Sequence, residues 1–379
     1  MAKRLISAEN ALNLLLVFVP IAMVMEWVLH SPPVWIFVVA CLAVIPLAGL
    51  MGHATEEIAG RVGEGIGGLM NATFGNAAEL IIAIVALRAG LYDLVKASIT
   101  GSIIGNLLLV FGLSALVGGL RFPSQKFNRT AASLGSTLLV LSAVGLVVPA
   151  VFHMLVGNTA RAAERNLSFE ISVVLMLTYI ASLFFTLRTH RHLYMGDAVV
   201  EGAPPVHSHE HPPLARSIGK LLLATVGVAI MAEFLVGAAT HTAQSLGWSE
   251  IFVGVIVVAI IGNAAEHSTA IIMAAKNRMD ASINIAVGSS IQVALFVAPL
   301  LLFLSYFIGG KGPLDLIFTP LEVLAVVASA GIMAFCANDG ESHWMEGIQL
   351  LAVYIILGIA FFFLPVPEGA AAAAGAVGH

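Results

Sequence analysis

The chain has 379 residues, of which 59% are hydrophobic and 10% charged, with a formal net charge of -5. An average soluble domain carries roughly 25% charged residues, so there is too little polar surface here to coat a soluble molecule. The composition excludes an ordinary cytosolic enzyme, a nucleic-acid binder and a disordered scaffold. Cys41 and Cys336 both sit inside apolar runs and read as core thiols rather than a disulfide framework or zinc site.

A helix needs about 20 mostly apolar residues to cross a bilayer core. In chain order, such runs lie near Leu14–Leu29, Val34–Leu50, Gly68–Leu87, Ile99–Leu116, Leu134–Val151 and Ile171–Leu187. They continue near Leu221–Ala239, Ile251–Ala275, Ile285–Phe307, Leu321–Cys336 and Ile348–Leu364. That predicts an all-α polytopic membrane protein of about 11 transmembrane helices, because the alternating pattern of an outer-membrane barrel is absent. The first run has too many successors for a cleaved signal peptide.

With the N-terminus inside, twelve Lys and Arg fall on inner segments, from Lys3 and Arg4 to Lys276 and Arg278. Five (Arg88, Lys96, Arg161, Arg165 and Lys311) fall outside. The bias predicts a cytoplasmic N-terminus and an outer C-terminus. With no targeting signal in view, the plasma membrane of a prokaryote is the default location. The one long polar connection, 189–220, holds Pro204, Pro205, Pro212, Pro213 and five histidines: His190, His192, His207, His209 and His211. It reads as a solvated linker, with a metal-buffering loop as the alternative. Gly369 to His379, rich in Ala and Gly, reads as a disordered tail.

GNAAE occurs at Gly75–Glu79 and again at Gly262–Glu266, 187 residues later. Gly101-Ser102 and Gly288-Ser289 keep that offset, as do Asp93 and Asp280. Setting 75–102 against 262–289 without a gap gives 10 identities in 28 positions, which marks a duplication. The GNAAE copies fall on the third and eighth spans, and an odd separation puts them in opposite orientations. The expected architecture is therefore one extra N-terminal helix (1–30) and two inverted five-helix repeats (31–188 and 217–364). A linker (189–216) joins them and a tail (365–379) follows. Inverted repeats typify secondary transporters, whose sites lie near the midplane between the repeats.

A carboxylate inside a membrane helix costs about 2.5–3.5 kcal/mol on insertion scales, so it asks for a functional reason. Glu79 and Glu266 lie within apolar helices, each with an amide three residues before it, Asn76 or Asn263. Gly75 and Gly262 lie one residue earlier, where a missing side chain lets a helix or an ion come close. On a continuous helix these residues share a face. Carboxylate, amide and carbonyl oxygens suit a hard cation such as Ca²⁺. Ser98, Ser102 and Asn106 share a face of the fourth span, Ser289 and Gln292 a face of the ninth, and Gly101 with Gly105 forms a close-packing GxxxG. Further acids flank this centre. Glu56 and Glu57 end the second span and Glu233 lies within the seventh, as candidates for an ion or proton path. Glu322 and Glu26 sit at span ends, where snorkelling suffices. Two carboxylates without a fixed cation can be neutralised by a divalent ion or by protons, and that competition is a sufficient mechanism for antiport.

The paired GNAAEL and GNAAEH, with GSIIGN and GSSIQV after them, resemble the Ca²⁺/H⁺ antiporters of the cation/Ca²⁺ exchanger superfamily, from about Ser31 to Leu364. The resemblance implies Glu79 and Glu266 as central ion ligands beside Asn76 and Asn263, with Ser102, Ser289 and Gln292 lining the site. It likewise implies Glu56 and Glu233 along the ion path. It implies Ca²⁺ and H⁺ as substrates, no cofactor, no nucleic acid and no catalysis, and a monomer is enough, although an oligomer is compatible. The S-x-P-E type signature of the related Na⁺/Ca²⁺ exchangers is absent, which argues against a Na⁺-driven exchanger. A monovalent cation/H⁺ antiporter and a passive cation channel stand as alternatives for ion assays to separate.

Overall fold

A computed structural model describes residues 13–62, 64–157, 161–190, 193, 213–308 and 312–365. Helix α1 (Phe18–Trp27) leads into α2 (Pro33–Val62), α3 (Glu64–Phe74) and α4 (Ala77–Arg88). Then come α5 (Tyr92–Gly119), α6 (Arg129–Val156), α7 (Arg161–Thr189) and α8 (Leu214–Leu246). The second half continues with α9 (Glu250–Gly262), α10 (Ala264–Ala275), α11 (Met279–Ile308), α12 (Pro320–Cys336) and α13 (Trp344–Phe362). Among the described residues seven helices are long and apolar enough to cross a membrane, and the bent pair α9–α10 makes an eighth. The remaining predicted spans fall on shorter helices: α1, α12, and the broken pair α3–α4.

Two departures from the sequence expectation share one cause. The third and eighth spans are not continuous helices: α3 gives way to α4 at Gly75-Asn76, and α9 turns by 61° into α10 at Asn263. Glycine followed by asparagine is weak helix and good turn sequence, whereas Ala-Ala-Glu restarts a helix readily. The sixth span also starts ten residues earlier than expected, at Arg161. The four linker histidines His192, His207, His209 and His211 and the tail from 366 lie outside the described residues.

The connections sort into two ends. At one end, strands β1 (Gln125–Lys126) and β2 (Glu341–Ser342) pair antiparallel, Gln125 opposite Ser342. There Gln125 Nε2 donates to Ala274 O (2.9 Å) and Arg121 Nη1 to Ala275 O (3.1 Å), and Asn128 N donates to the Asp280 carboxylate. At the other end Tyr92 donates to Gly312 O (2.6 Å), Lys96 Nζ to Ile317 O (3.0 Å) and Leu316 N to Ser168 Oγ (3.2 Å). Among the described residues, connections that odd–even alternation places on one side thus bond to one another and not across, as opposed repeats require. Alongside, α8 packs along α2. Helix α13 crosses α5 so closely that a Cβ on Gly347 would lie 2.4 Å from Leu116 N.

Glu322 is not at an exposed span end but 2% exposed. It closes a capping box with Thr319 at the start of α12 and accepts a hydrogen bond from Thr100 Oγ1 (3.3 Å). Thr100 of α5 and Thr319 at its own helix start are the polar groups that meet it there. Of the GxxxG pair, Gly101 does sit against another helix, while nothing comes within 4 Å of a Cβ placed on Gly105.

Candidate functional site

Both breaks put a glutamate in the first turn of a new helix, Glu79 in α4 and Glu266 in α10. Peptide N–H groups and the positive end of the helix dipole favour a carboxylate there. Asn76 and Asn263 stand at the N-cap positions, yet neither side chain caps its own helix. Each crosses to the other repeat. Asn263 Nδ2 donates to Glu79 Oε1 and to Ser102 Oγ (3.0 Å), and Ser102 Oγ donates to Glu79 Oε1 (2.6 Å). Asn76 Nδ2 donates to Gln292 Oε1 (2.7 Å) while Asn76 Oδ1 accepts from Ser289 Oγ (2.8 Å). Asn106 Nδ2 completes this group by donating to Ser289 Oγ (3.0 Å).

The two glycines make the crossing possible. A Cβ on Gly262 would lie 3.1 Å from Glu79 Cγ. One on Gly75 would lie 3.4 Å from Gln292 Oε1 and 3.6 Å from Glu266 Oε1. Each carboxylate therefore rests in the notch left by the other repeat's glycine. The continuous-helix picture, with amide and acid of one repeat sharing a face, is replaced by an exchange of partners across the duplication.

Three buried oxygens here have no hydrogen-bond partner: Glu79 Oε2, Glu266 Oε2 and Asn263 Oδ1. Buried polar atoms are rarely left so. Acceptor oxygens without donors, two of them from carboxylates, are the set a hard cation fills. Beside the site the backbone widens to a π-helical turn in both repeats, Gly105–Val110, which carries Asn106, and Val293–Val297, which follows Gln292. Such turns concentrate at functional sites.

Of the predicted residues, the structure gathers Gly75, Asn76, Glu79, Ser102, Gly262, Asn263, Glu266, Ser289 and Gln292 in one centre. Asn106, read from sequence only as part of the Ser98–Ser102 face, joins them; its link to Ser289 spans 183 residues of chain and left no local signal. The three further acids lie elsewhere. Glu56 is exposed, 3.8 Å from His53. Glu57 accepts from Lys220 Nζ (2.8 Å) and Ser217 Oγ (2.5 Å), tying α2 to α8. Glu233 pairs with Arg88 Nη1 at 3.4 Å, tying α8 to α4. His267 is buried.

The surroundings of the site are lopsided. Asn71, Phe74 and Gly75 are exposed, whereas their counterparts 187 residues on, Val258, Ile261 and Gly262, are buried or half-buried. Exposed residues of α3 thus border the centre on the β1–β2 side, while a small pocket lined by Glu79, Ile82, Ser98, Ser102, Val258 and Val297 borders Glu79 on the other.

A sequence profile described as sodium/calcium exchanger protein matches residues 32–188 and 216–363. A Ca(2+)/H(+) antiporter of Synechocystis is 45% identical over 363 residues, 93% of this chain and 96% of its own. The Ca(2+)/H(+) antiporter ChaA of Bacillus subtilis is 47% identical over 339 residues, 89% of this chain and 94% of its own. Among solved structures, native YfkE superposes with a TM-score of 0.80 at 42% identity, covering 93% of this chain and all of that one. An H+/Ca2+ exchanger, CAX, shares the fold at 16% identity and a TM-score of 0.66, over 98% of this chain and 92% of its own.

Proposed function

The chain belongs to the sodium/calcium exchanger protein family, and from that premise we propose that it is a secondary transporter exchanging Ca²⁺ for protons. The observation that carries this reading is the trio of buried, unpartnered oxygens of Glu79, Glu266 and Asn263. Ca²⁺ and protons compete for the two carboxylates, and only one repeat's half-helix seals the centre at a time. Asn76, Ser102, Ser289, Gln292 and Asn106 hold the donors and acceptors in register, and Gly75 and Gly262 give the carboxylates room. The curated relatives named above are Ca(2+)/H(+) antiporters, which supports protons rather than Na⁺ as the counter-ion. Glu56, exposed at the open end, draws cations toward the centre. Glu57 braces the start of α8 at the open end through Ser217 and Lys220, and Glu233, paired with Arg88, stands on the far side of the centre as a candidate for the other half of the ion or proton path. One chain carries both glutamates, so a monomer suffices. The β1–β2 end holds more of the described Lys and Arg, from Arg61 and Arg121 to Arg278, and is the cytoplasmic end of a bacterial plasma membrane. The N-terminus lies on that side and the C-terminus outside.

The test is reconstitution in vesicles with an imposed pH gradient. Ca²⁺ uptake should collapse with a protonophore and be absent in Glu79→Gln and in Glu266→Gln. Uptake that follows a Na⁺ gradient, or survives either substitution, refutes the reading.

A further inference from the structure

Helices α4 and α8 run side by side and leave a gap between them. Ile81, Ile84 and Val85 of α4 and Val226, Ala229 and Ile230 of α8 line a cavity of about 360 Å³, a size that holds a small ligand. Both sets keep the i, i+3, i+4 spacing of one helix face. On each helix the next position of that face is charged, Arg88 on α4 and Glu233 on α8. The groove is open to its surroundings at Val226, which is 57% exposed. The charged pair closes its end loosely. Arg88 Nη1 and Glu233 Oε1 are 3.4 Å apart and both side chains are more than half exposed, whereas a charge-assisted hydrogen bond measures about 2.7–2.9 Å. Arg88 comes nine residues after Glu79, about 14 Å along the helix. With Glu79 near the midplane, that is the level at which a hydrocarbon core about 30 Å thick gives way to headgroups.

An apolar groove that faces hydrocarbon is filled by lipid tails, because a void forfeits dispersion contacts along its walls. The two charges add selection of the headgroup. We propose that the α4–α8 groove binds a phospholipid whose headgroup carries a primary ammonium, a phosphatidylethanolamine. One acyl chain lies between the two apolar faces, the phosphate meets Arg88 and the ammonium meets Glu233. A planar guanidinium takes phosphate oxygens through paired N–H donors, and an ammonium brings three N–H donors to a carboxylate. A choline headgroup has the positive charge but no N–H. A glycerol headgroup leaves Glu233 facing a phosphate with no cation between them. The residue 187 positions after Arg88 is Ala275, so charge at this place belongs to one repeat and not to the duplicated motif. The exchange reading puts a passing cation beside Glu233, and the lipid puts a resident one there. The proposal rests on that reading only for the level of Glu79 in the membrane.

Native mass spectrometry of the purified protein in detergent tests it, with phosphatidylethanolamine, phosphatidylcholine and phosphatidylglycerol added in equal amounts. One phosphatidylethanolamine should stay bound, favoured about tenfold over either competitor, the size of one hydrogen bond to a charged group. Arg88→Gln should lose that retention. Glu233→Arg, which sets two cations at the end of the groove, should transfer the preference to phosphatidylglycerol. Val226→Trp fills the groove from an exposed position, so the protein should keep its melting temperature in detergent and retain none of the three. Equal retention of the three lipids by the parent, an unchanged preference in Glu233→Arg, or lipid still held by Val226→Trp overturns the proposal. So does a mass of two chains that Val226→Trp reduces to one, which would give the groove to a second copy. Retention requires neither Ca²⁺ nor a proton gradient. A lipid that stays bound in a protein carrying some other ion would therefore show the two readings failing separately.

Discussion

Asn263 touches Glu79, Ser102 and the Ala259 carbonyl at once, so it positions the carboxylate of one repeat from the backbone of the other. A hydrogen bond to a charged group is worth about 1.5–3 kcal/mol. Asn263→Ala should therefore weaken Ca²⁺ binding about 10–100-fold, read by calorimetry. Gly262→Ala places a methyl 3.1 Å from Glu79 Cγ, tighter than an ordinary contact. It should cost about tenfold in affinity, roughly 1.4 kcal/mol, with Gly262→Val abolishing exchange. Because ligands must be deprotonated to hold a metal, acidifying the Ca²⁺-loading side should raise the apparent KM for Ca²⁺. Alkalinising that side should lower it. Flux measured against Ca²⁺ at a series of pH values checks the sign, and a KM that falls on acidification would contradict competition.

Helix beginnings decide more here than helix interiors. Thr319 caps α12 and shares the buried Glu322 carboxylate through both its N–H and its hydroxyl, at 2.8 Å each. Thr319→Ala removes a cap worth about 1 kcal/mol and leaves part of a buried carboxylate unsatisfied, about 1–3 kcal/mol more. The melting temperature in detergent should fall by several degrees, whereas Thr319→Ser should retain most of it. The sequence does carry the signal for such starts. Thr319 and Glu322 keep the spacing of a capping box, and so do Asn76 with Glu79 and Asn263 with Glu266. Hydropathy hid it, because an apolar run of the right length reads as one helix whether or not it is broken. The duplication, the paired glutamates and the inverted order were all legible, since each leaves a pattern in the residues themselves. The partner exchange was not, because periodicity along one helix says nothing of which helix will face it. The burial of Glu322 escaped for a related reason: its cross-helix partner Thr100 lies 222 residues away in the chain.

At the scale of the whole molecule, charge sets the approach of ions and ion pairs set the bracing. Glu56 stands exposed at the open end, so Glu56→Gln should slow uptake at limiting Ca²⁺ at low ionic strength. The deficit should close toward 1 M salt, where the screening length is about 3 Å; a deficit that persists there points to a direct ligand. Arg88 and Glu233 are both more than half exposed, so loss of their pair should change stability by no more than about 1 kcal/mol. The exchange of partners across the duplication has one more consequence, in the making of the protein. Asn263 lies 184 residues after Glu79, and chains grow at about 5–20 residues per second, so Glu79 enters the bilayer roughly 10–40 s before its partner is made. Over that interval the first half has a membrane-buried acid with nothing from the second half to meet it. Until the ribosome has finished the second GNAAE, a proton on the acid and the first repeat's own Ser102 hydroxyl are what keep it from being a bare buried charge.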